Sequence, residues 1–391
     1  MADRPARLLF LNSRSEYGGA DMGLLGIVRH LDTERFTPLV VLPHKGPLVG
    51  DLEAAGARVI YLDICRLERL ATPAQILLFL WRFIKSLWGL LRIVRQERID
   101  LIYTNSSAIQ VGALAARLAG IPNVWHIREI WTEPRWLTKP LYRYIYTLAN
   151  RIIAISHAVA LGNFGHDQGK IHVVRDGIDL SRFEGLELRS EAILQRYDLD
   201  QSMPIVTTIA RMVPQKGLAT FVEAARYVRD VGVDARFCLA GDIPRPMYQG
   251  YKDGLVREIA RSQLEDRVHL LGWSDDTPAL LHASTLFVLA SIGPEGAGLV
   301  IPEAWLSGIP AIGPDHTGPA ELIQHGQNGF QFEAGNAEDL AEKIIAMLRD
   351  RDSLREMAEN GRRDALEKHD AGRNTARIQD IVSELLQSRE N

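Results

Sequence analysis

Pro204-Ile205-Val206-Thr207-Thr208-Ile209-Ala210-Arg211-Met212-Val213-Pro214-Gln215-Lys216-Gly217 is an apolar, β-branched run that ends in a basic loop and opens into a helical pattern. A run of Ile, Val and Thr with no polar alternation reads as a strand buried on both faces, as in a parallel sheet. Upstream, Leu8–Leu11, Pro38–Leu42, Arg58–Tyr61, Leu101–Thr104, Asn123–His126 and Ile152–Ile155 have the same character. Helical patterns such as Met22–His30 and Gly112–Ala119 separate them, the latter stopped by Gly120 and Pro122. Downstream, Ala235–Ala240, Arg267–Leu271, Thr285–Leu289 and Pro310–Ile312 repeat the rhythm. Strand and helix in alternation predict a doubly wound α/β domain. Because the rhythm restarts at Pro204, two such Rossmann-like domains in series are expected, facing each other.

Length agrees, since 391 residues exceed what one hydrophobic core usually supports. The expected organisation is an N-terminal Rossmann-like domain over 1–180, a linker over 181–203 and a C-terminal Rossmann-like domain over 204–370. A final helix over 371–391 would pack back toward the first domain. The polar stretch Asp179–Ser202, rich in Glu, Arg and Ser, sets the linker. No proline follows Pro319, and Ala337–Arg349, Ser353–Lys368 and Thr375–Leu386 read as helices.

A formal net charge of −4 gives no basis for wholesale nucleic-acid binding. Cys65 and Cys238 are the only cysteines, and both have apolar neighbours. Two distant thiols suit a reducing cytoplasm better than a disulfide framework. The apolar run Leu8–Leu11 is too short for a signal-peptide core. A cytoplasmic protein is therefore expected.

Ligands in open α/β sheets gather at the carboxyl ends of strands. After the first strand comes Ser15-Glu16-Tyr17-Gly18-Gly19-Ala20-Asp21, where Gly18 and Gly19 permit close backbone approach to a phosphate or sugar, or simply form a tight turn. After Ala210, Arg211 and Lys216 flank a loop; Arg grips phosphate bidentately and Lys adds a point charge, though a solvated pair has the same spacing. The loop Gly293-Pro294-Glu295-Gly296-Ala297-Gly298-Leu299-Val300-Ile301-Pro302-Glu303 places two carboxylates around a glycine-rich helix start. Bare backbone N–H groups suit an anion, and carboxylates accept from sugar or ribose hydroxyls. The bland alternative is a capping Glu295 and a Glu303 paired to a nearby cation.

With these motifs the chain resembles the retaining glycosyltransferases of family four, also called glycosyl transferases group 1, which have the GT-B architecture. The resemblance runs through Gly18-Gly19, His126, Asp176-Gly177-Ile178-Asp179, Arg211, Lys216 and Glu295 to Glu303. It continues in Leu306-Ser307-Gly308-Ile309-Pro310, Thr317-Gly318-Pro319-Ala320-Glu321 and Asn328-Gly329. It implies two Rossmann-like domains, the N-terminal one binding the acceptor and the C-terminal one the nucleotide-sugar, facing across a donor-binding cleft, and transfer of a sugar from a nucleoside-diphosphate sugar to a polysaccharide or lipid-linked acceptor. Arg211 and Lys216 would hold the diphosphate, Glu303 the ribose and Glu295 the transferred sugar. Backbone around Gly296, Ala297, Gly298 and Leu299 would support sugar and phosphate, and Gly272, within Leu271–Trp273, would border the base. Gly19 would lie near the diphosphate, and His126 would reach the donor sugar or the reaction centre.

Three positions depart from the family pattern: Ala297 where an aromatic is usual, Ile127-Arg128-Glu129 after His126 in place of an immediate Asp, and Asp176 where Asn is common. The resemblance also implies retention of configuration, with the departing phosphate taking the acceptor proton in place of the double displacement of retaining glycosidases. No metal is expected: no His/Cys cluster is visible, and the Asp-x-Asp at Asp198-Leu199-Asp200 falls in the linker stretch. A nucleotide-sugar epimerase, a phosphorylase or a non-catalytic nucleotide-sugar sensor are the alternatives. The base, sugar and acceptor are not legible.

Ile76–Arg95 is greasy and approaches the ~20 residues of a membrane span. Arg82, Lys85, Arg92 and Arg95 interrupt it, and a central cation costs about 2.5–3.5 kcal/mol on insertion. It reads either as a helix covering a sheet or as one lying on an anionic membrane at the inner face of the plasma membrane. Trp131, Trp136, Lys139, Tyr142, Arg143, Tyr144 and Tyr146 add aromatic and basic groups nearby in sequence.

Overall fold

The computed structural model describes residues 4–67, 72–131 and 134–388. In chain order, β1 (Ala6–Leu11), α1 (Gly19–Arg29), β2 (Phe36–Leu42), α2 (Leu48–Ala54), β3 (Arg58–Tyr61), α3 (Pro73–Gln96) and β4 (Leu101–Thr104) come first. They are followed by α4 (Val111–Ala119), β5 (Asn123–Ile127), α5 (Arg135–Leu148), β6 (Arg151–Ala154), α6 (His157–Phe164) and β7 (Ile171–Val173). Next are α7 (Leu186–Arg196), β8 (Ile205–Ile209), α8 (Leu218–Asp230), β9 (Arg236–Ala240), α9 (Gln249–Arg261) and β10 (Val268–Gly272). Then come α10 (Thr277–His282), β11 (Leu286–Val288), α11 (Val300–Leu306), β12 (Ala311–Pro314), α12 (Thr317–Leu322) and β13 (Gly329–Phe332). The helices α13 (Ala337–Arg349), α14 (Arg351–Lys368) and α15 (Ala371–Gln387) end the chain.

Two compact units result. One holds the chain up to Asp179 together with the segment from Asp370 onward; the other is Leu180–His369. The first carries a parallel sheet in the order β3-β2-β1-β4-β5-β6-β7, the second a parallel sheet in the order β10-β9-β8-β11-β12-β13. In sequence rank, the second order is 3-2-1-4-5-6, that of a Rossmann domain, and the first extends it by one strand. Each unit is thus doubly wound, with its topological switch between the first strand and its neighbour.

The strands are buried runs because helices cover both faces of each sheet. Leu8 and Phe10 of β1 join a core with Leu24 and Val28 of α1 and with Ile378, Val382 and Leu385 of α15. Leu9 and Leu11 point to the other face, toward Leu90 and Val94 of α3 and Val111 and Ala115 of α4. The side chain of Asp370 caps α15 through the Arg373 N–H (2.7 Å), and Gln379 accepts from the Asp32 N–H (2.7 Å). In the second unit, Val206 of β8 packs with Phe221 of α8, Phe237 of β9 and Ile344 of α13.

Three features differ from the sequence reading. The stretch 181–203 is not a free linker. Its residues 186, 190 and 193 recur at helical spacing as the buried Leu186, Ser190 and Ile193 of α7, and Arg189 forks onto Asp276 at the start of α10. The chain instead passes between units at Asp179–Leu180 and again at His369–Asp370. The strands β7 and β13, of three and four residues, also escaped the reading; each lies at a sheet edge, where few buried positions leave a pattern.

Candidate functional site

In the second unit the loop after β8 is folded tightly at its sheet's carboxyl edge. Met212 is fully buried and its N–H donates to the Asp242 carbonyl (3.0 Å), while Arg211 beside it is exposed. A single 3-10 turn, Pro214–Lys216, delivers Lys216 to the start of α8. Gly217 then takes φ 62°, and a Cβ there would lie 1.9 Å from the Ala290 carbonyl oxygen. Only glycine satisfies both demands. The Gln215 carbonyl accepts from the N–H groups of Ile292 and Gly293 (3.0 Å each), stitching this loop to the one after β11.

The stitching brings Lys216 and Glu295 together: Nζ donates to Oε1 of Glu295, with both side chains largely buried. Ser291 Oγ donates to the same oxygen at 2.6 Å. Glu295 is held through its backbone as well, its N–H donating to Thr317 Oγ1 (3.1 Å) and its carbonyl accepting from the Gly318 N–H (2.9 Å). A Cβ on Gly318 would meet the Gly296 carbonyl oxygen at 2.5 Å, so the two glycine-rich loops touch through backbone. Thr317 holds φ 54°, a left-handed conformation that costs a β-branched residue about 1–3 kcal/mol and that clusters at ligand sites.

Glu303 sits one turn into α11 and goes elsewhere. Its Oε1 accepts from Arg182 Nη1 at 2.9 Å, and burial pushes its pKa up against the pull of that guanidinium. Arg182 lies in the stretch read as a linker. Gly298, at φ 66°, packs against Leu289 and Pro319, and Ala297 and Leu299 complete the turn into α11. Gly272 ends β10 in a left-handed conformation, its carbonyl accepts from the Gly241 N–H (2.7 Å), and Trp273 beyond it is exposed. Gly241 itself, at φ 130°, would place a Cβ 1.9 Å from the Ala210 carbonyl oxygen. Asp200 is engaged by Arg236 (3.0 Å) and the Ser202 N–H; Asp198 stands in a turn at φ 50°. Among the described residues no cluster of His, Cys, Asp or Glu has the arrangement of a metal site.

In the first unit, Gly18 caps α1 and Gly19 opens it; a Cβ on Gly19 would meet nothing within 4 Å. Beneath them runs a buried polar chain. Asn12 donates to Asp21 (2.8 Å), Asn105 donates to Asn12 (3.0 Å) and to the Ala20 carbonyl (3.1 Å), and Arg128 Nε donates to Asn105 (2.9 Å). Arg128 also forms a buried ion pair with Asp176. Burial pushes the pKa values of Asp21 and Asp176 up, although Asn12 and Arg128 respectively act against it.

His126 ends this chain, only 1% exposed. Its Nδ1 lies 2.7 Å from the Tyr103 hydroxyl and 3.3 Å from Arg128 Nη2. Burial, reinforced by Arg128, holds the imidazole well below its usual pKa, so the ring is neutral. A guanidinium only donates, and burial keeps the proton on Tyr103. Nδ1 must therefore accept and Nε2 carries the proton; Nε2 is buried with no hydrogen-bond partner among the described residues. In place of the immediate Asp of the family pattern, Tyr103 and Arg128 thus orient the ring. Tyr103 lies 23 residues away and left no sequence signal; neither did Ser291, Thr317 or Arg182 in their roles here.

Residues 18–177 match a family model described as a glycosyl transferase 4-like domain, and residues 190–364 one described as glycosyl transferases group 1. An Escherichia coli UDP-Gal:alpha-D-GlcNAc-diphosphoundecaprenol alpha-1,3-galactosyltransferase is 26% identical over 91% of this chain and 91% of its own length. A Campylobacter jejuni N,N'-diacetylbacillosaminyl-diphospho-undecaprenol alpha-1,3-N-acetylgalactosaminyltransferase is 28% identical over 87% of this chain and 89% of its own. Among solved structures, Anabaena HepE in complex with UDP superposes with a TM-score of 0.82 at 26% identity, covering 97% of this chain and all of HepE; the same protein is also solved with UDP-glucose.

Proposed function

Because the chain belongs to the group 1 glycosyl transferases, with their two Rossmann-like domains, we propose that it moves a hexosyl residue from a UDP-sugar to a saccharide carried on a polyprenyl diphosphate. The reaction would proceed with retention of configuration and without a divalent ion. The observation that carries this reading is the joining of Lys216 to Glu295 at the carboxyl edge of the second sheet, beside exposed Arg211. UDP is favoured by its presence in HepE and by the donor named for the E. coli relative; a lipid-diphosphate acceptor is favoured by both relatives that match nearly end to end.

A diphosphate gains negative charge as the glycosidic bond breaks, and a preorganised cation offsets that gain by about 2–4 kcal/mol. Arg211 and Lys216 supply two such cations, which is what a divalent ion would otherwise contribute. On donor binding the phosphate competes with Glu295 for Lys216 Nζ. Glu295, still held by Ser291 and by its backbone, then accepts from hydroxyls of the sugar. Glu303, anchored by Arg182, would accept from the ribose, and the backbone from Gly296 to Leu299 would donate to donor oxygens. Gly272 would border the uracil, and Gly18 and Gly19 would let phosphate or sugar approach the start of α1. His126 enters as a neutral Nε2–H donor, not as a base.

Retention follows if the acceptor attacks on the face from which UDP departs, its proton passing to the leaving phosphate. A UDP-sugar panel assayed with polyprenyl-diphosphate GlcNAc, and the anomeric configuration of the product read by NMR, tests the whole reading. Glu295→Gln should lower turnover with no sugar retained on the protein. A glycosyl-enzyme trapped on any carboxylate and seen by mass spectrometry would overturn this mechanism, and donor binding without transfer or hydrolysis would leave a sensor instead.

A further inference from the structure

The helix α3 is longer than the sheet it serves. At 1.5 Å per residue its 24 residues span about 36 Å, whereas β3 and β4, which it connects, are four residues each, about 13 Å. Its three buried positions, Ser86, Leu90 and Val94, all lie in the C-terminal half, where Leu90 and Val94 pack on the sheet with Ile102 and Leu9. None of the residues from Pro73 to Lys85 is buried. Crossover helices run antiparallel to the strands, so this half overhangs the carboxyl edge of the first unit's sheet.

The overhang is apolar on its outward side. At 100° per residue, Leu77, Trp81, Ile84 and Trp88 form one stripe, 56–71% exposed, on the side opposite Ser86 and Leu90. A helix covering a sheet needs one apolar face; this one has two. The stripe continues into Arg95 and is bordered by Lys85 and Arg92, and Pro73–Gln96 contains no acidic residue. Arg82 is offset by Asp63 (3.0 Å), which leaves three cations around the stripe. Trp136, at the start of α5 on the same face of the sheet, is 76% exposed. Among the described residues no helix is long and apolar enough to cross a membrane.

We infer that the outward face of α3 docks on a bilayer bearing anionic lipid, with Trp81 and Trp88 entering the headgroup boundary and Lys85, Arg92 and Arg95 facing lipid phosphates. Apolar side chains flanked by cations match an anionic interface. A second copy is the poorer occupant, because isologous pairing of α3 would set these cations against one another. Docking would also bring the carboxyl edge of the first sheet to the surface where a polyprenyl-linked acceptor resides. This last point rests on the proposed acceptor; the docking itself does not.

The test is co-sedimentation of the full chain with phosphatidylcholine vesicles with and without phosphatidylglycerol, alongside Trp81→Glu/Trp88→Glu and Lys85→Gln/Arg92→Gln/Arg95→Gln variants. The parent should bind the anionic vesicles, less strongly at high salt, and brominated lipid should quench its tryptophan fluorescence. The tryptophan variant should lose at least about tenfold in partitioning. The cation variant should lose about fivefold per charge, the equivalent of about 1 kcal/mol each. Both should keep the parent's thermal midpoint and its turnover on a short-chain, water-soluble acceptor. No binding to either vesicle, undiminished binding by the tryptophan variant, or a concentration-dependent dimer that this variant abolishes would overturn the inference. Loss of transfer in every assay, with vesicle binding intact, would instead count against the proposed reaction alone.

Discussion

Replacing Lys216 by Met keeps the length and apolar stem of the side chain and removes one charge. Two effects compete. Glu295 loses its cation, but it keeps the Ser291 hydroxyl at 2.6 Å and retains access to water, so the stability cost falls between that of a surface pair and that of a buried one, about 1 kcal/mol. For a unit of this size that lowers the thermal midpoint by about 2–4 °C. The catalytic effect is larger. If Nζ meets the departing diphosphate, about 2–4 kcal/mol of transition-state stabilisation is lost, and kcat/KM falls about 30- to 900-fold. Because the charge is fully developed in free UDP and only partly in the bound donor, UDP affinity should fall with kcat while the KM of the UDP-sugar moves less than about fivefold. Initial rates of UDP release, with calorimetric UDP binding and a urea melt on the same preparation, separate these quantities. Lys216→Arg should recover at least an order of magnitude by restoring the cation. Turnover of Lys216→Met within about threefold of the parent would refute the role of Lys216, as would a loss of activity that disappears once temperature is lowered to restore the fold.

Glu303→Gln exchanges a charged acceptor for a neutral one, so the KM for donor should rise about 5- to 30-fold with little change in kcat; an unchanged KM would remove Glu303 from the donor site. Gly217→Ala puts a methyl 1.9 Å from the Ala290 carbonyl oxygen at φ 62° and should cost at least about 2 kcal/mol in urea unfolding. Gly232→Ala, left-handed at φ 76° with nothing within 4 Å, isolates the conformational part at about 1 kcal/mol. His126 has a folded pKa below its unfolded value of about 6.5, so the unfolded chain takes up the proton first as pH falls. Its contribution to stability is full above about pH 6.5 and is lost below it, with a slope of at most about 1.4 kcal/mol per pH unit. Urea midpoints between about pH 5 and 7.5 should therefore fall with acidity more steeply in the parent than in His126→Gln; parallel curves would mean that the imidazole is not held neutral by the fold.

The second unit fixes the side chains of its strand-end loops through close backbone contacts. Glycine at 217 and 318 lets three loops approach through backbone, which leaves the side chains of Lys216 and Ser291 to converge on the Glu295 carboxylate. Thr317, held at φ 54° beside them, is a local strain that the surrounding contacts maintain. The first unit reaches rigidity differently, through a buried chain of amide, guanidinium and carboxylate from Asp21 to Asp176 that ends by setting the tautomer of His126.

Read alone, the sequence determined the two sheets, since strands buried on both faces are unbroken apolar runs and helices mark themselves by period and stop signals. It also determined where to look: the glycine-rich and charged loops at Gly18–Gly19, Arg211–Lys216 and Glu295–Glu303 each follow a strand, and ligands meet such sheets at that edge. Partners were beyond it. Arg182 reaches Glu303 across 121 positions, Arg128 reaches Asp176 across 48, and Tyr103 reaches His126 across 23. No period or motif encodes a contact made by the return of the chain. The helix in the stretch read as a linker, and the edge strands β7 and β13, were likewise decided by what they pack against. The outward stripe of α3 joins both kinds of information: its residues are plain in the sequence, but which of its two apolar faces the sheet would cover was settled only by the fold.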